Sequence, residues 1–314
     1  MYRVGIVTAG LGRDWVSDDL LRAASKLATA GAVDPICFEI RCDGEPSLRI
    51  QGEPADAYDA YVLRSLNRQG EIDYQYEVFE LLEQLGMLVV NSPAGLSLAE
   101  SKAQTTFVLR EAGLPVPRTL VTQSLEQAVA MVDEFGTAVV KPLYGSYGIG
   151  MERLSPEMSG RLLPEFLQTY GAAYIQEYVP NEGRDIRAFV VGDEIPAAMY
   201  RIAREGQWKT NVFHGGICEV CELSPAIREL CLEASRITGL DYTGVDVIEG
   251  PDGPVILELN GTPSWYGLSE ATGRDVAVDV VAHVLWKLET GQSARQPVGL
   301  QSRRHTPSNH PALG

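Results

Sequence analysis

Positive charge is scarce in this chain. Its 314 residues hold 26 Lys and Arg against 42 Asp and Glu, a formal net charge of −16. So acidic a body repels phosphate backbones and anionic lipid, which argues against nucleic acid and membrane surfaces as partners. Each Lys or Arg inside a motif is correspondingly informative. Cysteine is sparse as well: five, an odd number in a long chain, do not make a disulfide framework. No apolar run approaches the roughly 18 residues of a membrane span. Residues 1–7 read as a strand rather than as the basic start of a signal peptide. The expectation is a reduced, cytoplasmic protein. Two nucleotide-binding signatures are also missing. Gly10-Leu11-Gly12-Arg13-Asp14-Trp15 lacks the third glycine of a dinucleotide-binding turn. The later glycine-rich loop is not followed by the Gly-Lys-Ser/Thr of a Walker A motif.

What is present is ordinary globular composition, 45% hydrophobic and 22% charged, at a length that suggests about two domains. In the first third, strand-type runs (Val4 to Val7, Tyr61 to Leu63, Met87 to Val90) alternate with helical stripes. One stripe is Leu20, Leu21, Ala24, Leu27 and Ala28; the other is Val78, Phe79, Leu82 and Leu85. That alternation predicts a small open parallel α/β domain over 1–95. A helix over about 100–112, a capping box at Ser124 and Gln127, and strands at 137–143 and 173–179 suggest an α+β unit over 96–180. Longer strands (186–192, 196–202, 217–223, 243–249, 255–260) and two helices, one opened by Ser224-Pro225 and one over 275–290, make a third unit over 181–290. Residues 291–314, rich in Pro and Ser, read as a disordered tail.

The most informative segment runs from Gly244 to Asn260. Two apolar strands flank Gly250-Pro251-Asp252-Gly253, which is strong turn chemistry. A turn centred near Asp252 sets Asp246 opposite Glu258, with Asn260 on the same face as Glu258 and with Val255, Leu257 and Leu259 on the other. Like charges directly opposite on a sheet repel. Two carboxylates and an amide oxygen on one face suit Mg²⁺ with phosphate and water, although a solvated face of an amphipathic hairpin leaves the same pattern. Lys141 ends a strand and precedes Gly145, Gly148 and Gly150, whose backbone can approach phosphate closely.

Taken in order, Lys102, Lys141 with its glycine loop, Gln176-Glu177-Tyr178-Val179, Gly183-Arg184-Asp185-Ile186-Arg187, Arg201, Trp208-Lys209-Thr210-Asn211, Gly215-Gly216, Asp246 and Glu258-Leu259-Asn260 form a spaced set. With it the chain resembles the ATP-grasp ligases, and within them the RimK-like α-L-glutamate ligases, over about residues 85–285. The resemblance implies an ATP-grasp α+β fold behind a small α/β domain, α/β overall. It also implies an enzyme that joins a carboxylate to an amine through an acyl phosphate. Lys102 and Lys141 would hold ATP phosphates, Glu177, Tyr178 and Asp185 would contact the nucleotide, and Lys209, Thr210 and Asn211 would close on it. Asp246, Glu258 and Asn260 would bind two Mg²⁺ or Mn²⁺ ions, and Arg201 would be the catalytic arginine. A glycine-rich lid over 144–150 would exclude water from the acyl phosphate.

The amino acid implied is L-glutamate and the acceptor a peptide or small molecule bearing a carboxylate. The family also suggests a homo-oligomer, a dimer or tetramer. His214 stands where the family usually carries Arg, and Lys209 where Arg is common. Two alternatives stay open. One is a ligase for another amino acid that acts on a carrier protein in lysine- or arginine-type biosynthesis. The other is a nucleotide-binding regulatory module without chemistry. His214, Cys218 and Cys221 do not read as zinc ligands, because a fourth ligand is missing and the two cysteines have opposite strand parity. Trp265-Tyr266 is expected to pack as a loop rather than line a pocket.

Overall fold

The computed structural model describes residues 1–145, 148–210 and 216–299. Chain order begins with β1 (Arg3–Val7), α1 (Trp15–Leu27), β2 (Thr29–Val33), β3 (Phe38–Arg41), β4 (Ser47–Ile50) and β5 (Glu53–Pro54). It continues with β6 (Ala60–Leu63), α2 (Ile72–Gln84), β7 (Leu88–Val90), α3 (Pro93–Glu100) and α4 (Lys102–Glu111). The strands β2-β1-β6-β7 form a parallel sheet in that order, as the alternation of periods predicts. The small antiparallel sheet β3-β4-β5 has no counterpart in the sequence reading, because Phe38–Arg41 and Ser47–Ile50 are too short and polar to carry a clear period.

The second lobe holds β8 (Thr119–Thr122), α5 (Leu125–Phe135), β9 (Ala138–Lys141), β10 (Glu152–Leu154), α6 (Pro156–Tyr170) and β11 (Ala173–Glu177). Its sheet order is β10-β9-β11-β8, and a separate core around Val132, Val140, Leu163 and Ile175 holds it together. Ser124 caps α5 by accepting from Gln127 N–H. The Gln127 side chain does not reach back to Ser124; it accepts from Thr122, whose hydroxyl in turn takes the Ser124 N–H.

The third lobe is built on β12 (Arg184–Val191), β13 (Glu194–Ile202), β14 (Ile217–Val220), α7 (Pro225–Thr238), β15 (Tyr242–Gly250), β16 (Gly253–Asn260), α8 (Tyr266–Thr272) and α9 (Val276–Thr290). Its antiparallel sheet runs β14-β13-β12-β15-β16. One face packs on α7 and shares a core with the α2 side of the first sheet, through residues such as Phe79, Ile186 and Ile237. The other face shares a core with α1 and α9, through residues such as Leu20, Phe189 and Val280. Because α3 and α4 pack on α7 and β16, the lobe with its own core begins near 119 rather than at 96. Residues 291–299 are also anchored at several points, contrary to the expected tail. Ala294 is buried, Arg295 N–H donates to Asp241 at 2.9 Å, and Val298 N–H to Ile237. The remainder of that tail lies outside the described residues. Among the described residues, no helix is long and apolar enough to cross a membrane.

Candidate active site between two lobes

The hairpin β15–β16 turns at Pro251-Asp252, with Gly253 in the positive-φ region at +115°. Asp246 pairs directly with Glu258, the predicted register. The predicted faces fail one residue further on. A bulge makes Val247 pair with Ile256, so Leu257 is the extra residue of β16. Ile256 enters the core, whereas Leu257 joins Glu258 on the wall of the cavity. Bulges re-aim side chains in this way, and they depend on the sheet rather than on the local pattern.

Asp246 is 2% exposed, and its carboxylate is held by two arginines from neighbouring strands. Arg187 on β12 approaches edge-on, with Nε against Oδ1 and a second N–H donating to Oδ2 at 2.9 Å. Arg201 on β13 lies 2.8 Å from Oδ2 and also donates twice to Asp185, at 2.7 and 2.6 Å. Thr210 completes this buried network with a 2.7 Å hydrogen bond to Asp185. Burial by itself would raise the Asp246 carboxyl, but the two guanidinium groups outweigh it and hold the group below the usual carboxylate range. The reverse holds for Arg201: burial opposes its charge, and Asp185 and Asp246 restore it.

Lys141 stands at the end of a strand, as expected, and is buried there. It closes β9, is 8% exposed, and donates to Gln176 Oε1 at 2.8 Å. Burial pushes its pKa down, against the attraction of Glu258. Lys102, the first residue of α4, donates to the Gly145 carbonyl at 2.8 Å, and Lys209 to the Gly148 carbonyl at 3.2 Å. Both lysines thus meet the glycine loop at its two described ends. Tyr178 and Glu177 border the same cavity, with their N–H groups already engaged by the Thr137 and Arg118 carbonyls. Asn211 and His214, and residues 146–147 of the expected lid, lie outside the described residues.

One cavity therefore gathers Lys102, Lys141, Glu177, Tyr178, Asp185, Arg201, Lys209, Thr210, Asp246 and Glu258 from both lobes. Asn260 opens instead on a second, larger cavity of about 1280 Å³. The two cavities share Lys102, Gly145, Arg201, Leu257 and Glu258. Trp208 stands in the spaced set without an assigned role; its ring takes Lys209 and Arg153 at 5.6 and 5.9 Å from its centre. Arg187, named in the spaced set without a role, is a clamp on Asp246.

Glu258 has no hydrogen bond or ion pair among the described residues, and Asn260 uses only its amide NH₂, in a long 3.5 Å contact with the Gly244 carbonyl. Their free oxygens suit a hard divalent cation. Asp246 fits less simply, since both of its oxygens already face guanidinium. Among the described residues, no group of three or more His, Cys, Asp and Glu is placed to hold a metal. Cys218 and Cys221 face opposite cores, which agrees with their parity. Trp265 is fully buried against Phe189, as expected of a packed loop, while Tyr266 is half exposed and lines the larger cavity.

A lobe with its own core, closed over a five-stranded antiparallel sheet, with lysines and carboxylates in the cleft between, is the construction of an ATP-grasp ligase. The model of the RimK-like ATP-grasp domain matches residues 99–284. The chain is 36% identical over 291 residues to tetrahydromethanopterin:alpha-L-glutamate ligase of Methanocaldococcus jannaschii, which covers 90% of this chain and 98% of that protein. It is 30% identical over 252 residues to a probable alpha-L-glutamate ligase of Marinomonas sp., covering 79% and 83%. Among solved structures, the ATP-grasp ligase PsnB complexed with minimal precursor superposes with a TM-score of 0.74 at 22% identity, covering 91% and 99%. The chain belongs to the RimK-like ATP-grasp family, and it is an ATP-dependent ligase that forms carbon–nitrogen bonds.

Proposed function

We propose that this enzyme attaches L-glutamate to a carboxylate of a small pterin-type acceptor. The relatives that cover nearly their whole length with this chain are named for that reaction on tetrahydromethanopterin. The observation that carries the reading is the junction of the two cavities at Lys102, Gly145, Arg201, Leu257 and Glu258. A nucleotide in the smaller cavity and an acceptor in the larger one would meet there.

A carboxylate does not condense with an amine at neutral pH without a better leaving group. The acceptor carboxylate attacks the γ-phosphorus of ATP, ADP departs, and the acyl phosphate holds the activated carbon. The amino group of glutamate then attacks that carbon, and phosphate leaves as the nitrogen loses its proton. Lys102 and Lys141 hold the phosphates as compact charges. Glu177, Tyr178 and Asp185 frame the nucleoside, and Lys209 and Thr210 border it on the other side. Arg201 presents a planar guanidinium beside the carbon where negative charge develops. Glu258 and Asn260, with Asp246 behind them, would hold two Mg²⁺ or Mn²⁺ ions, which supply neutralisation of charge on the phosphates.

The test is ADP release with L-glutamate and either tetrahydromethanopterin or a peptide ending in glutamate. Release that requires both glutamate and the pterin, with a product one glutamyl residue heavier, is the expected result. ADP release with another amino acid, or ATP binding without acceptor-dependent turnover, would overturn it.

A further inference from the structure

The larger cavity is lined both by Glu258 and Asn260 and by residues of the first domain. At about 1280 Å³ it exceeds the roughly 300–1000 Å³ of most small-molecule sites. Its far end is lined by residues that follow β1 and β6, among them Gly10, Asp14, Arg64 and Arg68. In the sheet order β2-β1-β6-β7, the chain leaves β1 toward one side and β6 toward the other. That makes the gap between their carboxyl ends the switch point of the parallel sheet, where open α/β sheets bind ligands.

The charges at this crevice are not balanced. Asp14 accepts from Ser17 at 2.7 Å and is clamped by Arg64 at 2.9 Å, which lowers its carboxyl pKa against the effect of burial. Arg64 also donates from one terminal nitrogen to the Thr262 carbonyl, at 2.7 Å, and so ties the first domain to the loop after β16. Arg68 is exposed, lines the cavity, and has no hydrogen bond or ion pair among the described residues. In a chain with 42 carboxylates, a guanidinium left free on a ligand-facing wall is ready for an outside anion. Beside the same cavity, Tyr266 meets Trp15 edge to face at 5.3 Å, with both rings about half exposed. An open aromatic pair offers a surface for a flat ring.

We infer that the switch-point crevice of the first sheet is a subsite for the part of the acceptor remote from the reacting carboxylate, and that Arg68 is the specificity-determining residue that reads a second anionic group there. The acceptor class is a flat aromatic molecule carrying a carboxylate or phosphate besides the one that reacts. This rests on the ligase reading for the identity of the larger cavity, but the binding it asserts does not require turnover.

The test is calorimetry with naphthyl phosphate, naphthoate and uncharged naphthol, with the nucleotide cavity saturated by ADP and Mg²⁺. Titration with ADP alone comes first, and its failure to bind would count against the ligase reading and not against the subsite. The wild-type protein should bind at least one of the two anions about tenfold or more tighter than naphthol, as a charge-assisted contact does. The anion that gains more identifies the group read. Arg68→Ala should abolish that preference and Arg68→Lys should keep part of it. Arg13→Ala, at an exposed arginine outside the cavity lining, should leave it intact. No preference in the wild type, or the same preference in Arg68→Ala, would sink the inference.

Discussion

The Arg201 guanidinium lies 2.8 Å from one oxygen of Asp246 while its Nε edge grips Asp185. Two carboxylates from β12 and β15 are thereby joined through one buried cation on β13. Such a bridge holds a charged, planar group beside the cavity junction at a fixed orientation, because Nε and one terminal nitrogen are engaged by Asp185 and Asp246.

Arg201→Lys keeps the charge and loses the fork. We expect kcat for ADP release to fall by roughly 10²–10³, the size of losing one oxyanion donor, with little change in KM for ATP. Turnover equal to wild type would remove Arg201 from catalysis.

Lys141→Met removes a buried cation that Gln176 and Glu258 compensate only in part and that a bound phosphate would complete. ATP affinity should weaken by about 10- to 100-fold, in line with about 1.5–3 kcal/mol for hydrogen bonds to charged groups. The melting temperature should hold or rise, since burial works against this charge. Unchanged nucleotide affinity in a calorimetric titration contradicts the assignment.

Glu258→Gln should abolish turnover yet leave the metal-free protein as stable as wild type or slightly more so. The change relieves a like-charge pair across the hairpin and breaks no hydrogen bond among the described residues. A drop of several degrees in melting temperature without metal would mean that the carboxylate is structural.

Asp241 lies fully buried under His283, Lys287 and the Arg295 backbone, at 2.9, 2.8 and 2.9 Å. Burial raises its carboxyl, but these partners prevail and lower it below the ordinary 3.8. A depressed carboxyl stabilises the fold fully above its unfolded pKa and loses that contribution as pH falls through the folded value. Asp241→Asn should therefore cost about 3–5 kcal/mol near neutrality, the usual cost of breaking a buried pair. The difference from wild type in urea unfolding should shrink as the pH drops below about 3.8. A difference that persists unchanged at pH 2.5 would show that packing, not charge, is at stake.

Elements whose causes lie within about ten residues were readable from the chain alone. The Pro251-Asp252 turn, the Asp246–Glu258 pairing, the Ser124 cap and the parity that parts Cys218 from Cys221 all follow from local periodicity and turn chemistry. Family resemblance supplied the spaced site set, and most of it does converge on one cavity. What the tertiary structure alone decided involves partners far apart in sequence. Arg187 and Asp246 are 59 positions apart and meet only because β12 lies between β13 and β15. The bulge that turns Leu257 into the cavity answers to the twist and packing of the sheet, which no alternation of apolar residues encodes. Residues 291–299 look like a tail because they are polar and rich in small residues, yet the buried Asp241 carboxylate gives their backbone a charge-assisted anchor. Arg68, too, is an ordinary surface arginine in the sequence; only the order of the parallel strands sets it at the mouth of a crevice.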